Sequence, residues 1–203
     1  PVQAGAAIKS VMADPAAKDV VAAIAVQRVV ACHTEQRVIA AQTLDLLAEF
    51  PDRFLLGIGV GHPEKHADAS RPLDGISRYL DVLDAAGVPA DRLVLAALGD
   101  KMLRIAAERS AGAHPYLTPP AHTRHARDVL GLAPLLVPEQ RVVLRTDADE
   151  ARAIGRPTVA VPYLRLANYL RNLRSLGYSA DELANDGSDR VIGVAVVLTR
   201  TTD

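Results

Sequence analysis

The sequence predicts an α/β fold with parallel strands. Short apolar runs alternate with amphipathic segments along the 203 residues, and brief polar, glycine- or proline-containing stretches separate them. The clearest apolar runs cover 53–60 and 92–98, and a segment with helical spacing follows each of them. Consecutive strand–helix units of this kind form parallel strands joined by right-handed crossovers.

The first element that the pattern defines well is a helix over about 35–49. Ile39, Leu46 and Leu47 fall on one face of this helix, and Pro51 ends it. The preceding residues, 16–32, are ambiguous, because their alanine content favours a helix while their short β-branched runs suit a buried strand equally well.

The run RFLLGIGVGHP at 53–63 is the most distinctive stretch of the chain. Its apolar part predicts a strand buried on both faces, and this strand leads into Gly57, Gly59 and Gly61. Backbone without side chains allows a flat ligand to lie close to it. A tight strand-to-loop turn without any ligand explains the glycines equally well, and the spacing differs from the dinucleotide-binding fingerprint.

The remaining elements continue the alternation, with no repeat and no evident boundary, so we expect a single domain over 1–203. Helices are predicted at 76–86, 100–110, 121–130, from 148 to just before Pro157, and at 159–175. Strands are predicted at 112–117 and at 135–144, the latter interrupted by Pro138, and 192–198 is an apolar, β-branched tail.

Composition excludes several classes of protein. Hydrophobic residues make up 49% and charged residues 23%, with a net charge of −1, so the basic surface that nucleic-acid binding needs is missing. Aromatic residues make up only 3%, and the longest apolar stretches are too short to span a bilayer. The only cysteine, Cys32, forms no internal disulfide and suits a reducing cytoplasm. We therefore expect a cytoplasmic protein that binds neither nucleic acid nor a membrane.

Three loops are predicted to share one edge of the sheet, because ligand sites of parallel α/β folds lie at the carboxyl ends of strands. These loops cover 59–63, 98–101 and 118–123. The second loop leads into a helix N-terminus, where backbone N–H groups and the helix dipole favour an anion such as a phosphate. Asp100 is explained equally well as the N-cap of that helix, with no ligand involved.

The remaining clusters of polar residues in the sequence indicate neither a metal site nor a catalytic nucleophile. The H-x-E-x-H spacing at 62–66 lies in a loop, without the helical framework of a zinc protease and without a third ligand. His122 and His125 are expected to be solvated. Cys32 is expected to be a buried cysteine, because its neighbour His33 cannot easily reach it and no third group orients the pair.

Four runs of the sequence closely resemble the bacterial luciferase-like monooxygenases. They cover 53–63, 79–123, 135–144 and 168–190, and the resemblance extends over about 45–190. The most similar group is that of the actinobacterial oxidoreductases predicted to use the deazaflavin F420. The family's fold is a TIM barrel with the cofactor at the carboxyl ends of the strands, so the resemblance implies a TIM-barrel-like α/β fold.

The resemblance also implies roles for individual residues. It places Gly59 and Gly61 near the cofactor ring and Thr118 in the same pocket, and it brings the cofactor phosphate to Leu98, Gly99, Asp100, Lys101 and Met102. The implied chemistry is hydride transfer with F420, or oxygen activation if the cofactor is FMN, on a small-molecule substrate. His62 is the candidate catalytic residue.

The chain departs from the family's pattern at both ends. A complete (β/α)8 barrel takes about 250 residues, and the first and last barrel strands have no clear counterparts here. Asp100 also stands where relatives tend to carry proline. We therefore expect an incomplete barrel whose exposed strand edges are covered in a homodimer. The alternative is a non-catalytic shortened paralogue that acts as an oligomeric or binding subunit.

Overall fold

A computed structural model of the chain describes residues 33–61 and 71–199. Its central feature is a four-stranded parallel sheet, in which each strand is hydrogen-bonded to the next one in the sequence. The strands are β1 (Leu56–Ile58), β2 (Leu93–Leu95), β3 (Gly112–Ala113) and β4 (Leu135–Leu136). The predicted α/β class with parallel strands is therefore confirmed.

One helix precedes this sheet, and helices connect its strands. They are α1 (His33–Glu49) before the sheet and α2 (Pro72–Ala85), α3 (Asp100–Arg109) and α4 (Pro120–Leu130) between successive strands. On α2 the apolar residues Ile76, Tyr79, Leu80 and Leu83 recur with the spacing of one helix face, and all four are buried. The helices predicted before β1 and between the strands are thus confirmed to within a few residues.

One face of the sheet packs against these helices. Alternate residues along β1 and β2, such as Leu56, Ile58, Leu93 and Leu95, belong to one buried cluster with apolar residues of α1 to α4. Side chains along a strand point alternately to the two faces. The intervening positions therefore belong to the opposite face, and they are mostly small: Gly57, Gly59, Val94, Ala96 and Gly112.

The C-terminal part of the described chain builds a second core. Strand β5 (Arg141–Leu144) pairs in parallel with β6 (Val196–Thr199) in a separate two-stranded sheet. Between them lie α5 (Ala148–Ala160), a 3-10 turn (Tyr163–Arg165), α6 (Ala167–Ser175), α7 (Ala180–Leu183) and α8 (Asp189–Ala195). Their buried side chains form a cluster that includes Leu117, and Leu98 and Tyr116 pack against it.

The strand predicted over 135–144 is confirmed in the divided form that the sequence suggested. Its first half, β4, pairs with β3, and its second half, β5, pairs with β6. Pro138 lies between the halves, but its missing N–H costs no hydrogen bond to β3, because the amides of Val137 and Glu139 donate to the carbonyls of Ala113 and Pro115 at 2.9 and 2.8 Å. Pairing with β3 continues a little beyond β4 through a bridge between Tyr116 and Glu139.

Two predicted boundaries in the C-terminal part are wrong. The helix expected to end before Pro157 continues to Ala160, because a proline near the end of a helix removes only one N–H donor and the amide of Val161 still reaches the Pro157 carbonyl at 3.1 Å. The helix predicted over 159–175 is divided, since Val161 precedes Pro162 and adopts the extended backbone typical of that position (φ −129°, ψ 120°).

Other predicted elements are shorter than expected or lie outside the described ranges. The strand predicted over 53–60 is reduced to β1, and the apolar tail over 192–198 divides between the end of α8 and β6. The ambiguous segment 16–32 lies outside the described residues. No helix within 33–61 and 71–199 is both long and apolar enough to cross a membrane.

Replacing Gly112 by alanine is expected to destabilise the protein by about 2 kcal/mol or more, as clashes and backbone strain of this kind do. Gly112 has φ +154°, and a Cβ there would overlap the carbonyl of Leu135 and lie 2.6 Å from its amide nitrogen. The control is Gly99→Ala, where a Cβ meets nothing within 4 Å. Urea unfolding of both variants makes the comparison, and equal stabilities would contradict the close approach of β3 to β4.

Candidate functional site

The carboxyl ends of β1, β2 and β3 lie side by side and define one edge of the sheet, called here the carboxyl edge. The amide of Ala96 donates to the carbonyl of Ile58 at 2.8 Å, and the amide of His114 donates to that of Leu95 at 2.8 Å. The segments that follow the three strands, 59–61, 96–99 and 114–118, therefore begin next to one another. The sequence predicted a shared edge for 59–63, 98–101 and 118–123; the structure shows that the strands leading to these loops end side by side, and 62–63 lie outside the described residues.

The start of α3 leaves its first turn without a side-chain cap. Gly99 is the N-cap residue, with φ −91° and ψ 156°, and a Cβ at this position would meet nothing within 4 Å. By contrast, Asp147 caps α5 and Ser179 caps α7 through side-chain hydrogen bonds. Helices α2, α4 and α6 also lack a side-chain cap, and in α2 and α4 a proline in the first turn removes one N–H donor. Among α2, α3 and α4, the helices that connect strands of the four-stranded sheet, the first turn of α3 is the best arranged to meet an anion.

Asp100 is the first residue of α3 and is not the N-cap. Its carboxylate meets the imidazole of His125 on α4, with 2.7 Å between Oδ1 and Nε2. The hydrogen bond from His125 is the main reason that the pKa of Asp100 lies below its ordinary value, and the charge of Arg104 acts in the same direction. His125 is exposed, as the sequence predicted, and it is also paired with Asp100.

His122 is fully buried, and the expectation that it is solvated is wrong. Its Nε2 lies 2.8 Å from the carbonyl oxygen of Leu98. Because a carbonyl only accepts, Nε2 carries the proton and donates it. Burial lowers the pKa of His122, so the ring is neutral near neutral pH and Nδ1 presents a lone pair. The sequence did contain a signal for this burial, because His122, Ala126 and Leu130 recur every four residues on α4.

Two buried polar atoms at this edge have no hydrogen-bond partner within the part of the chain that the structure describes. They are Nδ1 of His122 and Oγ1 of Thr118. Thr118 is only 2% exposed and lies two residues before the first residue of α4. Buried polar atoms are normally paired, so each of these atoms is a place where a further donor or acceptor would be favourable.

The packing and the backbone conformation of the protein explain the two glycines after β1 without any ligand. A Cβ on Gly59 would lie 2.9 Å from the Cβ of Ala96 on the neighbouring segment, so the close packing of β1 against β2 requires glycine there. Gly61 has φ +68°, a conformation that glycine adopts at little cost in the turn after the strand. Contact of Gly59 and Gly61 with a cofactor ring stays a prediction.

The structure thus brings some of the predicted site residues together and leaves others apart. The carbonyl of Leu98 meets His122, and Thr118 is buried. Lys101 is exposed, and Met102 packs against the helix-side core. His62 and the H-x-E-x-H spacing lie outside the described residues. Within the described ranges, no group of three or more histidine, cysteine, aspartate or glutamate side chains is arranged to hold a metal ion.

A cluster of tyrosines next to the carboxyl edge was not predicted. The ring of Tyr163 lies 5.3 Å from that of Tyr116 and 4.9 Å from that of Tyr169, and the Tyr169 hydroxyl donates to the Tyr116 carbonyl at 3.1 Å. Arg141 donates to the Tyr116 hydroxyl from Nε at 3.1 Å. Burial raises the pKa of Tyr163 and of Tyr169. Tyr116 is far in the sequence from Tyr163 and Tyr169, so no local pattern indicates the cluster.

Comparison with protein-family models found no match, and neither the curated proteins nor the solved structures gave a significant one. The resemblance to the luciferase-like family therefore stays a prediction. Any function has to be argued from the geometry of the carboxyl edge and from the chemistry of its residues.

Replacing His122 by glutamine is expected to lower the free energy of unfolding at about pH 7.5 by about 1–3 kcal/mol, the usual cost of disturbing a buried hydrogen bond. The buried ring has a pKa below its ordinary value of 6.5, so the unfolded chain binds the proton more readily than the folded chain. Stability should therefore fall as the pH falls through the unfolded-state pKa, and this loss should be smaller in the variant.

Urea unfolding at several pH values between about 5 and about 7.5, the range over which an imidazole gains its proton, measures this difference. The matched control is His125→Gln on the next turn of α4, which keeps the buried imidazole in place and should retain the loss on acidification. An acid sensitivity that is the same with and without His122 would contradict the assignment of a buried, neutral ring.

Proposed function

We propose that the protein is an oxidoreductase of the luciferase-like type that binds coenzyme F420, or alternatively FMN, at the carboxyl edge. The observation that carries the proposal is the uncapped, open start of α3 at Gly99, which lies beside the ends of two further parallel strands. A helix N-terminus of this kind favours a phosphate group, and carboxyl ends of parallel strands are the usual ligand site of α/β folds.

The residues of the edge suit such a cofactor in distinct ways. The backbone N–H groups at 99–101 would hold the phosphate, with the exposed side chain of Lys101 close by; the amide of Met102 already donates to the carbonyl of Gly99 at 3.0 Å. Gly59 and Gly61 would leave room for the ring, and the Thr118 hydroxyl would supply a hydrogen bond to it. The bound cofactor would supply hydride transfer, or oxygen activation in the case of FMN, while the protein orients a small organic substrate. His62 remains the catalytic candidate.

We also propose that the four-stranded sheet is part of an incomplete TIM-barrel-like fold. Two features support this part of the proposal: each strand pairs with the next one in the sequence, and the helices cover one face. Apolar side chains near the C-terminal strands, such as Leu135, Val142 and Leu144, are exposed, the last of them by 69%. Pairing of two copies along such edges would cover them, which supports a homodimer.

A second candidate function is that of a non-catalytic binding or oligomeric subunit. It is favoured by the packing of Leu98, Tyr116 and Leu117 against the C-terminal helices, which covers part of the carboxyl edge. The contact between Gly59 and Ala96 also explains that glycine without a ligand.

Asp100→Ser distinguishes the two functions. In an oxidoreductase the substitution removes a negative charge beside the phosphate position, so the affinity for F420 or FMN should rise by about two- to fivefold, the range expected for a half-exposed charge. In a non-catalytic subunit the wild-type chain binds neither cofactor, and the substitution creates no binding. Fluorescence titration of both proteins with both cofactors decides between these outcomes.

Gly99→Asp should abolish most of the cofactor affinity while leaving the fold intact. Aspartate is a favourable N-cap residue, so the thermal stability should stay the same or rise. Its carboxylate would lie where the phosphate is proposed to bind, and repulsion between the two should weaken binding by about tenfold or more. Titration with F420 and FMN measures the affinity, and thermal unfolding measures the stability.

Two variants serve as controls for this experiment. Gly99→Asn has the same shape as the aspartate variant without its charge, so its affinity should lie between those of the aspartate variant and the wild type. Gly193→Ala alters a glycine that also has open space around it but lies on α8, and it should bind like the wild type. If the aspartate and asparagine variants bind the cofactor with equal affinity, the phosphate does not bind at the start of α3.

A further inference from the structure

Tyr116, Tyr163 and Arg141, called here the tyrosine–arginine cluster, contain more hydrogen-bond donors than acceptors. Arg141 donates to the Tyr116 hydroxyl from Nε at 3.1 Å and also from Nη2. The hydroxyls of Tyr116 and Tyr163 share a further hydrogen bond. Two phenols carry two O–H protons and this bond uses one of them. Within the part of the chain that the structure describes, the other O–H proton and the N–H groups of Arg141 Nη1 therefore have no acceptor.

The guanidinium of Arg141 is held in place without a carboxylate. Arg145 pairs with Glu150 and Arg156 pairs with Asp189, whereas no described residue forms an ion pair with Arg141. Its guanidinium instead lies 5.6 Å from the centroid of the Tyr116 ring while it donates to the hydroxyl of the same residue. The side chain is exposed but oriented, so part of the ordering cost of binding a ligand is already met.

The backbone next to Tyr116 is strained. Leu117 has φ +49°, in the left-handed region that a leucine adopts only at a cost. Its side chain is buried in the C-terminal core, and the Tyr169 hydroxyl donates to the Tyr116 carbonyl at 3.1 Å. These contacts fix the position of Tyr116 against the strain, and strain of this kind is concentrated at ligand sites.

The surroundings of the cluster suit a small organic acid with a single charge. The unused N–H and O–H groups favour an acceptor, and the oriented guanidinium favours a negatively charged one. The charge of Glu139 acts on both Arg141 and Tyr163, so a second negative charge on the ligand would be repelled. The partly exposed rings of Tyr116 and Tyr163 offer apolar surface to the rest of the ligand.

We propose that the tyrosine–arginine cluster binds the carboxylate group of a small organic acid. The N–H groups of Arg141 Nη1 and the remaining phenol O–H donate to the two carboxylate oxygens, and the tyrosine rings pack against the body of the acid. In the proposed oxidoreductase this site would select a substrate that carries a carboxylate. That extension rests on the proposed function, whereas the binding site itself does not.

Titration of the full chain with benzoate, in the absence of any cofactor, tests the proposal. The readout is the 15N NMR signal of Arg141 Nε, which is identified by its loss in Arg141→Gln. This signal should shift and saturate, with a dissociation constant of about 1 mM, as expected for a ligand of this size. Benzamide has nearly the same shape without the charge, so it should bind about tenfold more weakly or worse. Inorganic phosphate, with its second charge, should also bind more weakly than benzoate.

Variants compared by ligand-observed NMR of benzoate locate the site. Arg141→Gln should weaken binding by about tenfold, and Tyr116→Phe by about threefold or more, because each removes donors to the carboxylate. The matched control is Arg145→Gln, which removes an exposed guanidinium that Glu150 already neutralises. It should bind benzoate within about twofold of the wild type. Circular dichroism verifies that the variants fold, and Arg141→Gln decides the outcome should Tyr116→Phe not fold.

Three results would overturn the proposal. They are an Arg141 signal that does not shift at benzoate concentrations about tenfold above the expected dissociation constant, equal affinities of Arg141→Gln and the wild type, and binding of benzamide or phosphate as tight as that of benzoate. Because no cofactor is present, a failure to bind F420 or FMN would contradict the proposed function without affecting this result. Loss of benzoate binding would likewise leave the proposed cofactor site untouched.

Discussion

The parallel pairing of β2 with β1 on one side and with β3 on the other is the constraint on which the rest of the structure depends. It brings three strand ends to one edge and orients the N-terminus of α3 towards that edge, because each helix starts just after a strand. The pairing of β1 with β2 is tight, because Gly59 has no room for a Cβ beside Ala96, and the pairing of β3 with β4 is tight because Gly112 has none beside Leu135. Any site at this edge depends on these two close approaches.

Helix α4 then fixes the loop between β2 and α3 by two contacts one turn apart. Buried His122 holds the carbonyl of Leu98, and half-exposed His125 holds the carboxylate of Asp100. The two histidines behave differently because their surroundings differ: burial keeps the first neutral, whereas the second remains open to solvent and beside an acid. The candidate site is therefore the product of α3 and α4 together.

The packing of the C-terminal helices bears on both functions proposed for the carboxyl edge, cofactor binding and a non-catalytic role. Their core takes in Leu117, with Leu98 and Tyr116 packed against it, and so joins the strand ends to a second body of buried side chains. In an oxidoreductase this packing would close a pocket around the cofactor. In a non-catalytic subunit it would cover an edge that binds no cofactor. The open position at Gly99 and the unpaired Thr118 hydroxyl favour the first function.

The sequence by itself determined the α/β class, the order of the strands and helices and the gathering of three loops at one edge, because hydrophobic periodicity and turn residues are local signals. It also indicated an interruption near Pro138, and the change of partner from β3 to β6 lies just after that proline, between Glu139 and Arg141. Only the tertiary structure decided the surroundings of His122, His125 and Asp100 and the assembly of Tyr116, Tyr163 and Tyr169. Burial and ion pairing bring together residues that are distant in the sequence, so a local sequence pattern does not predict them.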